Sequence, residues 1–210
     1  MAIQHEVAKG MLEAGAVELR PHDLFTWASG IKSPIYCDTR LTISYPTVRK
    51  TIAQGLAALI QEKFPTCEVV AGTATAGIPH AAWVADILEQ PMVYVRSKPK
   101  GHGRGKQTEG KFQEGAKVVV IEDIVSTGGS SINAVEALNR EGAEVLGVVS
   151  VYSYLLPAAI ENFEKAGVPY YSLSDFEALV EAAEETGAIQ KEDIPGLLTW
   201  YKDLKAGNLK

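Results

Sequence analysis

The chain has 210 residues, 46% of them hydrophobic, which suffices for one domain with a proper core and at most a small appendage. Its 26 acidic and 20 basic side chains leave a net charge of −6, which argues against non-specific nucleic-acid binding. No apolar run is long enough to span a bilayer, and the first residues, with Glu6 and Glu13, lack a signal core.

Residues 2 to 15 read as a helix, with Val7, Met11 and Leu12 on one side and Gly15 at its end. From Leu24 to Tyr45 the chain reads as irregular. Cys37 and Cys67 make no disulfide framework, and no C-x-x-C occurs for zinc, so a soluble, reducing, cytoplasmic setting is expected. Pro46 opens a long helix. Val48, Ile52, Leu56, Leu59 and Ile60 recur in it at helical spacing, and Pro65 closes it. Glu68 to Ala71 reads as a strand, Gly72 to Gly77 as a turn, 78 to 89 as a helix and Pro91 to Val95 as the next strand. A polar stretch runs from Arg96 to Gly115. Beyond it come a strand at 117 to 125, a helix from about 130 to 141 stopped by Gly142, and a strand at 144 to 152. Helix 156 to 166, strand 169 to 173, helix 175 to 186 and a tail carrying Trp200 and Tyr201 complete the chain. Strands alternating with helices predict an α/β protein, a mostly parallel five-stranded sheet flanked by helices. In such sheets ligands sit beyond the carboxyl ends of the strands.

The richest stretch is Val118-Val119-Val120-Ile121-Glu122-Asp123-Ile124-Val125-Ser126-Thr127-Gly128-Gly129-Ser130-Ser131. The β-branched run Val118 to Ile121 reads as a strand buried on both faces. Two adjacent carboxylates follow. Gly128 and Gly129 permit a tight turn and close approach to a ligand. Ser126, Thr127 and Ser130 offer hydroxyls, and the next helix offers free N–H groups and the positive end of its dipole, which suit a phosphate. A ligand carrying a phosphate at one end and hydroxyls or a metal at the other satisfies both halves. The bland alternative is ordinary α/β punctuation beside a surface Glu-Asp pair. The pattern is neither a Walker A loop nor a G-x-G-x-x-G fingerprint.

The second feature is Arg96-Ser97-Lys98-Pro99-Lys100-Gly101-His102-Gly103-Arg104-Gly105-Lys106, with five permanent cations, three glycines and one histidine in eleven residues. It has neither helical nor strand period. Long structureless stretches in a compact domain tend to be functional lids or disordered. A solvated surface loop is one reading and a nucleic-acid clamp, weakened by the overall acidity, another. A phosphate lid is the third, with cations that neutralise a departing diphosphate and exclude water.

The first segment resembles the phosphoribosyl-diphosphate (PRPP) binding motif of the type I phosphoribosyltransferases. The basic loop narrows the resemblance to the orotate phosphoribosyltransferase family, whose catalytic loop R-x-x-x-K-x-H-G is matched by Arg96, Lys100, His102 and Gly103. Upstream, Phe25-Thr26-Trp27-Ala28-Ser29-Gly30-Ile31-Lys32-Ser33-Pro34-Ile35-Tyr36 is similar to that family's F-T-x-x-S-G-x-K-S-P hood segment. The three motifs stand in the right order and cover most of residues 20 to 131. The chain departs from the pattern at Ala28 and Ala76, where many members carry Lys. It departs again at Tyr152-Ser153-Tyr154, where many carry an Arg that contacts orotate. These departures bear on the orotate contacts more than on the PRPP contacts.

The resemblance implies a type I phosphoribosyltransferase fold with a small hood over residues 1 to 45, a C-terminal contribution to it, and a core over 46 to 210. It implies transfer of the phosphoribosyl group from PRPP to orotate, with Mg²⁺ bound mainly through PRPP. A homodimer with shared active sites is implied, with no nucleic-acid or membrane partner. The PRPP contacts are carried to Arg96, Lys100, His102, Glu122, Asp123, Ile124, Val125, Ser126, Thr127, Gly128, Gly129 and Ser130. Ser126 is also placed to touch orotate. Lys100, His102 and Asp123 are the expected catalytic groups, with His102 or Lys100 as proton donor to diphosphate. The Gly72–Gly77 backbone is expected to approach the diphosphate. Trp27 and Tyr36 are either base contacts or hood structure. Two other readings are a phosphoribosyltransferase for another base, such as a purine, and a PRPP-sensing regulator that binds nucleic acid. The hood segment and basic loop speak against the first. The charge and the acidic C-terminal third speak against the second.

Overall fold

The computed structural model describes residues 2–27, 29–99 and 106–209. A helix, α1 (Ala2–Glu13), leads into four short strands, β1 (Val17–Leu19), β2 (Phe25–Thr26), β3 (Lys32–Ser33) and β4 (Ile35–Cys37), and a 3₁₀ turn over Thr39–Ser44. Next come α2 (Pro46–Lys63), β5 (Val69–Thr73), α3 (Gly77–Leu88), β6 (Met92–Val95), β7 (Thr108–Glu109) and β8 (Lys117–Val125). The chain continues through α4 (Gly129–Arg140), β9 (Glu144–Ser153), α5 (Pro157–Ala166), β10 (Tyr170–Asp175), α6 (Phe176–Glu185) and α7 (Ile194–Ala206). Proline stands at the start of α2, α5 and α7, where a missing N–H is harmless.

The central sheet has the order β10-β9-β8-β5-β6-β7. Its first five strands run parallel, and β7 pairs antiparallel with β6. The expected five strands are there, and the sixth corrects the reading of Arg96–Gly115 as wholly irregular. Two residues carry no readable period. β7 exists because Glu109 and Thr108 find backbone partners in Tyr94 and Val95.

Why β8 sits at the centre follows from its sequence. Val118, Val119, Val120 and Ile121 are all fully buried. Val119 and Ile121 join the core built with α1, α2, α3, α6 and α7, while Val118 and Val120 join the core under α4 and α5. Strand alternation thus feeds both faces, and each fully buried Val or Ile contributes about 1.5–3 kcal/mol.

The stretch from Leu24 to Tyr45 is not irregular throughout. β1 pairs with β4 and β2 with β3, both antiparallel, in pieces too short to show a sequence period. The C-terminal tail is a helix. Trp200 Nε1 of α7 donates to the Lys32 carbonyl at 2.9 Å, and Tyr201 donates to the Tyr154 carbonyl at 2.7 Å. Trp27 stands edge-on to both Tyr154 and Trp200. The indoles of Trp27 and Trp200 therefore pin the β2–β3 hairpin over the end of the sheet.

That end carries the site. β5 and β8 are adjacent and parallel, and the chain leaves them in opposite directions, β5 toward β6 and β8 toward β9. Such a divergence leaves a crevice beyond the carboxyl ends of the two strands. Among the described residues no helix is long and apolar enough to cross a membrane.

Candidate active site

Glu122 and Asp123 lie inside β8 rather than beyond it, and both are buried, at 5% and 9% exposure. A buried carboxylate must be hydrogen-bonded, and both are. Thr73, the last residue of β5, donates its hydroxyl to Glu122 Oε1 at 2.5 Å. The Asp123 N–H reaches the same oxygen at 3.2 Å. Ser130 and Ser131, in the first turn of α4, donate to Oε2 at 2.8 and 3.1 Å. Glu122 thus ties three elements together. Burial pushes its carboxyl up to about 7, against the hydrogen bonds of Thr73 and Ser130, which pull it down. Asp123 accepts from the Thr39 hydroxyl at 2.5 Å, a residue of the 3₁₀ turn.

The turn after β8 is shaped for close approach. Gly128 has φ +81°, and a Cβ there would lie 2.8 Å from the Phe163 ring, so a side chain meets both strain and a clash. Asn162 Nδ2 braces the turn by donating to the Thr127 carbonyl at 3.0 Å. Ser126, Thr127, Gly129 and Ser130 remain exposed. Among the described residues no side chain caps α4, so its first N–H groups and dipole face the crevice.

On the other side, α3 starts against β8. A Cβ on Gly77 would lie 2.5 Å from the Ile121 carbonyl oxygen. Only glycine lets the helix start so close, and this brings the Ala74–Ala76 backbone to the site. One cavity of about 400 Å³ is lined by Cys37, Asp38, Thr39, Arg40, Ala74, Thr75, Ala76, Glu122, Asp123, Ile124 and Ser130. A larger one, of about 610 Å³, lies at the amino ends of β5, β6 and β8, beside Glu68, Phe112 and Ala116. Only the smaller one gathers buried carboxylates, a helix N-terminus and a tight turn, the marks of a reactive site.

The sequence-predicted residues fall as follows. Glu122, Asp123, Ile124 and Ser130 line that cavity. Ser126, Thr127, Gly128 and Gly129 form the turn beside it. Val125 turns into the core at 1% exposure. Arg96 follows β6, two strands from β8, and its guanidinium lies 3.3 Å from Glu109. Lys100 and His102 lie outside the described residues. Tyr36 is 49% exposed, with the Phe25 ring 5.6 Å away. Trp27 is held by the Ile35 carbonyl and by two aromatic rings, which is a structural role.

Asp38, Thr39 and Arg40 are the wall that sequence reasoning missed. Asp38 takes a fork from Arg40, Nε to Oδ1 at 2.6 Å and Nη2 to Oδ2 at 2.9 Å. Its carboxyl is held below the usual range first by that hydrogen bond. Burial and then the charge of Asp123 push the Cys37 thiol far up, so it stays protonated. The one available signal was position, since Cys37-Asp38-Thr39-Arg40 directly follows the hood segment.

Residues 44–167 match the family model described as the phosphoribosyl transferase domain. A curated orotate phosphoribosyltransferase of Bacillus anthracis is 59% identical over 201 residues, 96% of each chain. Among solved structures, the orotate phosphoribosyltransferase of Aeropyrum pernix superposes with a TM-score of 0.74 at 30% identity, covering 88% of this chain and 99% of that one. The Mycobacterium tuberculosis orotate phosphoribosyltransferase in complex with 5-phospho-α-D-ribosyl 1-diphosphate gives 0.65 at 25% identity, covering 84% and 98%.

Proposed function

The chain belongs to the orotate phosphoribosyltransferase family and carries out that family's reaction in pyrimidine biosynthesis, and we propose how its own residues do so. Orotate and PRPP give orotidine 5′-monophosphate and diphosphate. The observation that carries the assignment of roles is the joining of the buried Glu122–Asp123 pair to the open N-terminus of α4 in one crevice.

The C1–diphosphate bond breaks early, so positive charge develops at the ribose while a highly charged anion departs. The site must therefore hold the sugar still and stabilise both charges. In this reading the turn 126–130 and the first N–H groups of α4 take the 5′-phosphate. Asp123 accepts from a ribose hydroxyl and places negative charge near the developing cation. Glu122, with hydroxyls already on both oxygens, holds Ser130 and the turn in place and meets the ribose beside Asp123. Ile124 and Val125 set the depth of the turn. Ser126 reaches toward orotate. The Ala74–Ala76 backbone faces the diphosphate.

Arg96, Lys100 and His102 form the diphosphate-binding lid, with Lys100 or His102 supplying the proton to the leaving group. The hood is read as residues 1–45 with a contribution from α7, over a core of 46–210. We place the protein in the cytoplasm as a homodimer in which the lid of one subunit serves its partner.

Magnesium fits this donor set. Among the described residues no cluster of three or more metal-ligating side chains occurs. A hard cation that keeps waters and substrate oxygens needs no such cage, and Asp38, Glu122 and Asp123 lie around one cavity. Mg²⁺ supplies charge neutralisation on the diphosphate when PRPP is bound, and Asp123 and Asp38 are the side chains that would face it.

The test is the loss of orotate's ultraviolet absorbance with PRPP and Mg²⁺. Turnover of orotate and not of a purine base is expected. No consumption of orotate would refute the assignment.

A further inference from the structure

Arg40 is the sole cation lining the crevice among the described residues, which it shares with Asp38, Glu122 and Asp123. It already pairs with Asp38, but that pair leaves part of its donor set unused. The guanidinium has five N–H donors arranged as two forks, one side-on and one end-on. Asp38 takes the side-on fork, through Nε and Nη2. Both hydrogens of Nη1 and the second of Nη2 have no partner among the described residues, so the end-on fork stays open. A planar guanidinium held this way is pre-set to receive a second pair of oxygens.

The turn that carries it is equally fixed. Asp38 accepts from the Arg40 N–H at 3.2 Å, Thr42 donates to the Thr39 carbonyl at 2.6 Å, and Thr39 is tied to Asp123. Arg40 is therefore locked in register with the carboxylate that the ribose is proposed to meet. Its side chain is 67% exposed, and an exposed pair two residues apart adds little to stability. A stability role does not account for a fork so placed.

We propose that Arg40 is a substrate-oxyanion clamp, its end-on fork taking two oxygens of the reacting pair, with Asp38 as the positioning residue. The shared chemistry is a bidentate oxyanion, supplied either by the carboxylate of orotate or by the diphosphate of PRPP. This rests on the reading of the crevice given above.

Kinetics of Arg40→Ala, Arg40→Lys and Asp38→Asn test it, each alongside wild type with orotate, uracil and PRPP. Arg40→Ala is expected to raise one KM about ten- to a hundredfold, as loss of a charged hydrogen-bonded pair does, with kcat changed less. Arg40→Lys keeps the charge and loses the fork, so the same KM rises by an intermediate factor. Asp38→Asn moves that KM in the same direction by less. If the carboxylate is the source, the preference for orotate over uracil falls by the same factor, because uracil lacks that group. If the diphosphate is the source, the KM for PRPP rises and the orotate/uracil preference holds. Both KM values within twofold of wild type in Arg40→Ala, or a fall in kcat alone, overturn the proposal. Thermal melting checks folding, and if Arg40→Ala does not fold, Arg40→Lys is read by the same criteria. Wild type that fails to turn over orotate sinks the underlying reading instead, so the two failures are distinct.

Discussion

The Thr39 hydroxyl donates to the Asp123 carboxylate across 84 residues of sequence, joining the 3₁₀ turn to β8. Asp123 is buried at 9% exposure, so this bond both satisfies a buried carboxylate and fixes the rotamer that a sugar would meet.

Thr39→Val keeps the shape and removes the donor. An under-satisfied buried carboxylate should lower stability by about 1–3 kcal/mol. It should also reduce kcat/KM by about tenfold, or 1.4 kcal/mol of transition-state stabilisation. Melting and steady-state kinetics measure the two. Wild-type values for both would mean that the bond does not position Asp123.

Much of this site could be read from residue order alone, and the reasons are specific. Val118 to Ile121 announced a strand covered on both faces, and the sheet edge followed from strands alternating with helices. The Gly128–Ser131 run announced a turn and a helix start. What could not be read depended on distance. A threonine in an irregular stretch carries no mark, and Thr39 acquires a role only when its 3₁₀ turn packs onto β8. Asp38 and Arg40 are likewise ordinary until the 3₁₀ turn brings them to the same crevice. β7 and β1 to β4 span two or three residues each, below the length at which alternation shows.

Glu122 makes stability depend on pH with a definite sign. Burial raises its carboxyl from 4.5 to about 7 in the fold. Between those values the native state binds more protons than the unfolded state, so stability falls as pH rises. Glu122→Gln removes this dependence. The stability of Glu122→Gln relative to wild type should grow with pH across that window by roughly 3 kcal/mol, then level off. Chemical denaturation at a series of pH values tests it. A difference independent of pH, or one that shrinks, contradicts the account.

His80 contributes the opposite slope. It is fully buried in α3, neither ring nitrogen has a hydrogen-bond partner among the described residues, and it meets the edge of Trp83. Burial lowers it from 6.5 to about 4, with the charge of Asp123 opposing. The unfolded state binds more protons over that range, so stability is lost as pH falls. His80→Leu removes the orphaned nitrogens and the slope together. It should be stabilising relative to wild type by about 2 kcal/mol more at pH 5 than at pH 8. An equal effect at both pH values would show that the fold does not lower His80.

Lys100→Ala tests the proposed lid. A group that acts on the departing diphosphate should lower kcat sharply, while calorimetric binding of PRPP to the open enzyme stays near wild type. Equal losses in turnover and in binding would make Lys100 a ground-state contact only.

The most direct measurement is a crystal structure of the wild-type protein soaked with PRPP and Mg²⁺. The 5′-phosphate should lie on the turn 126–130 at the start of α4, with a ribose hydroxyl within hydrogen-bonding distance of Asp123. Ligand density that leaves that crevice empty, or that settles instead in the cavity beside Phe112, would contradict it.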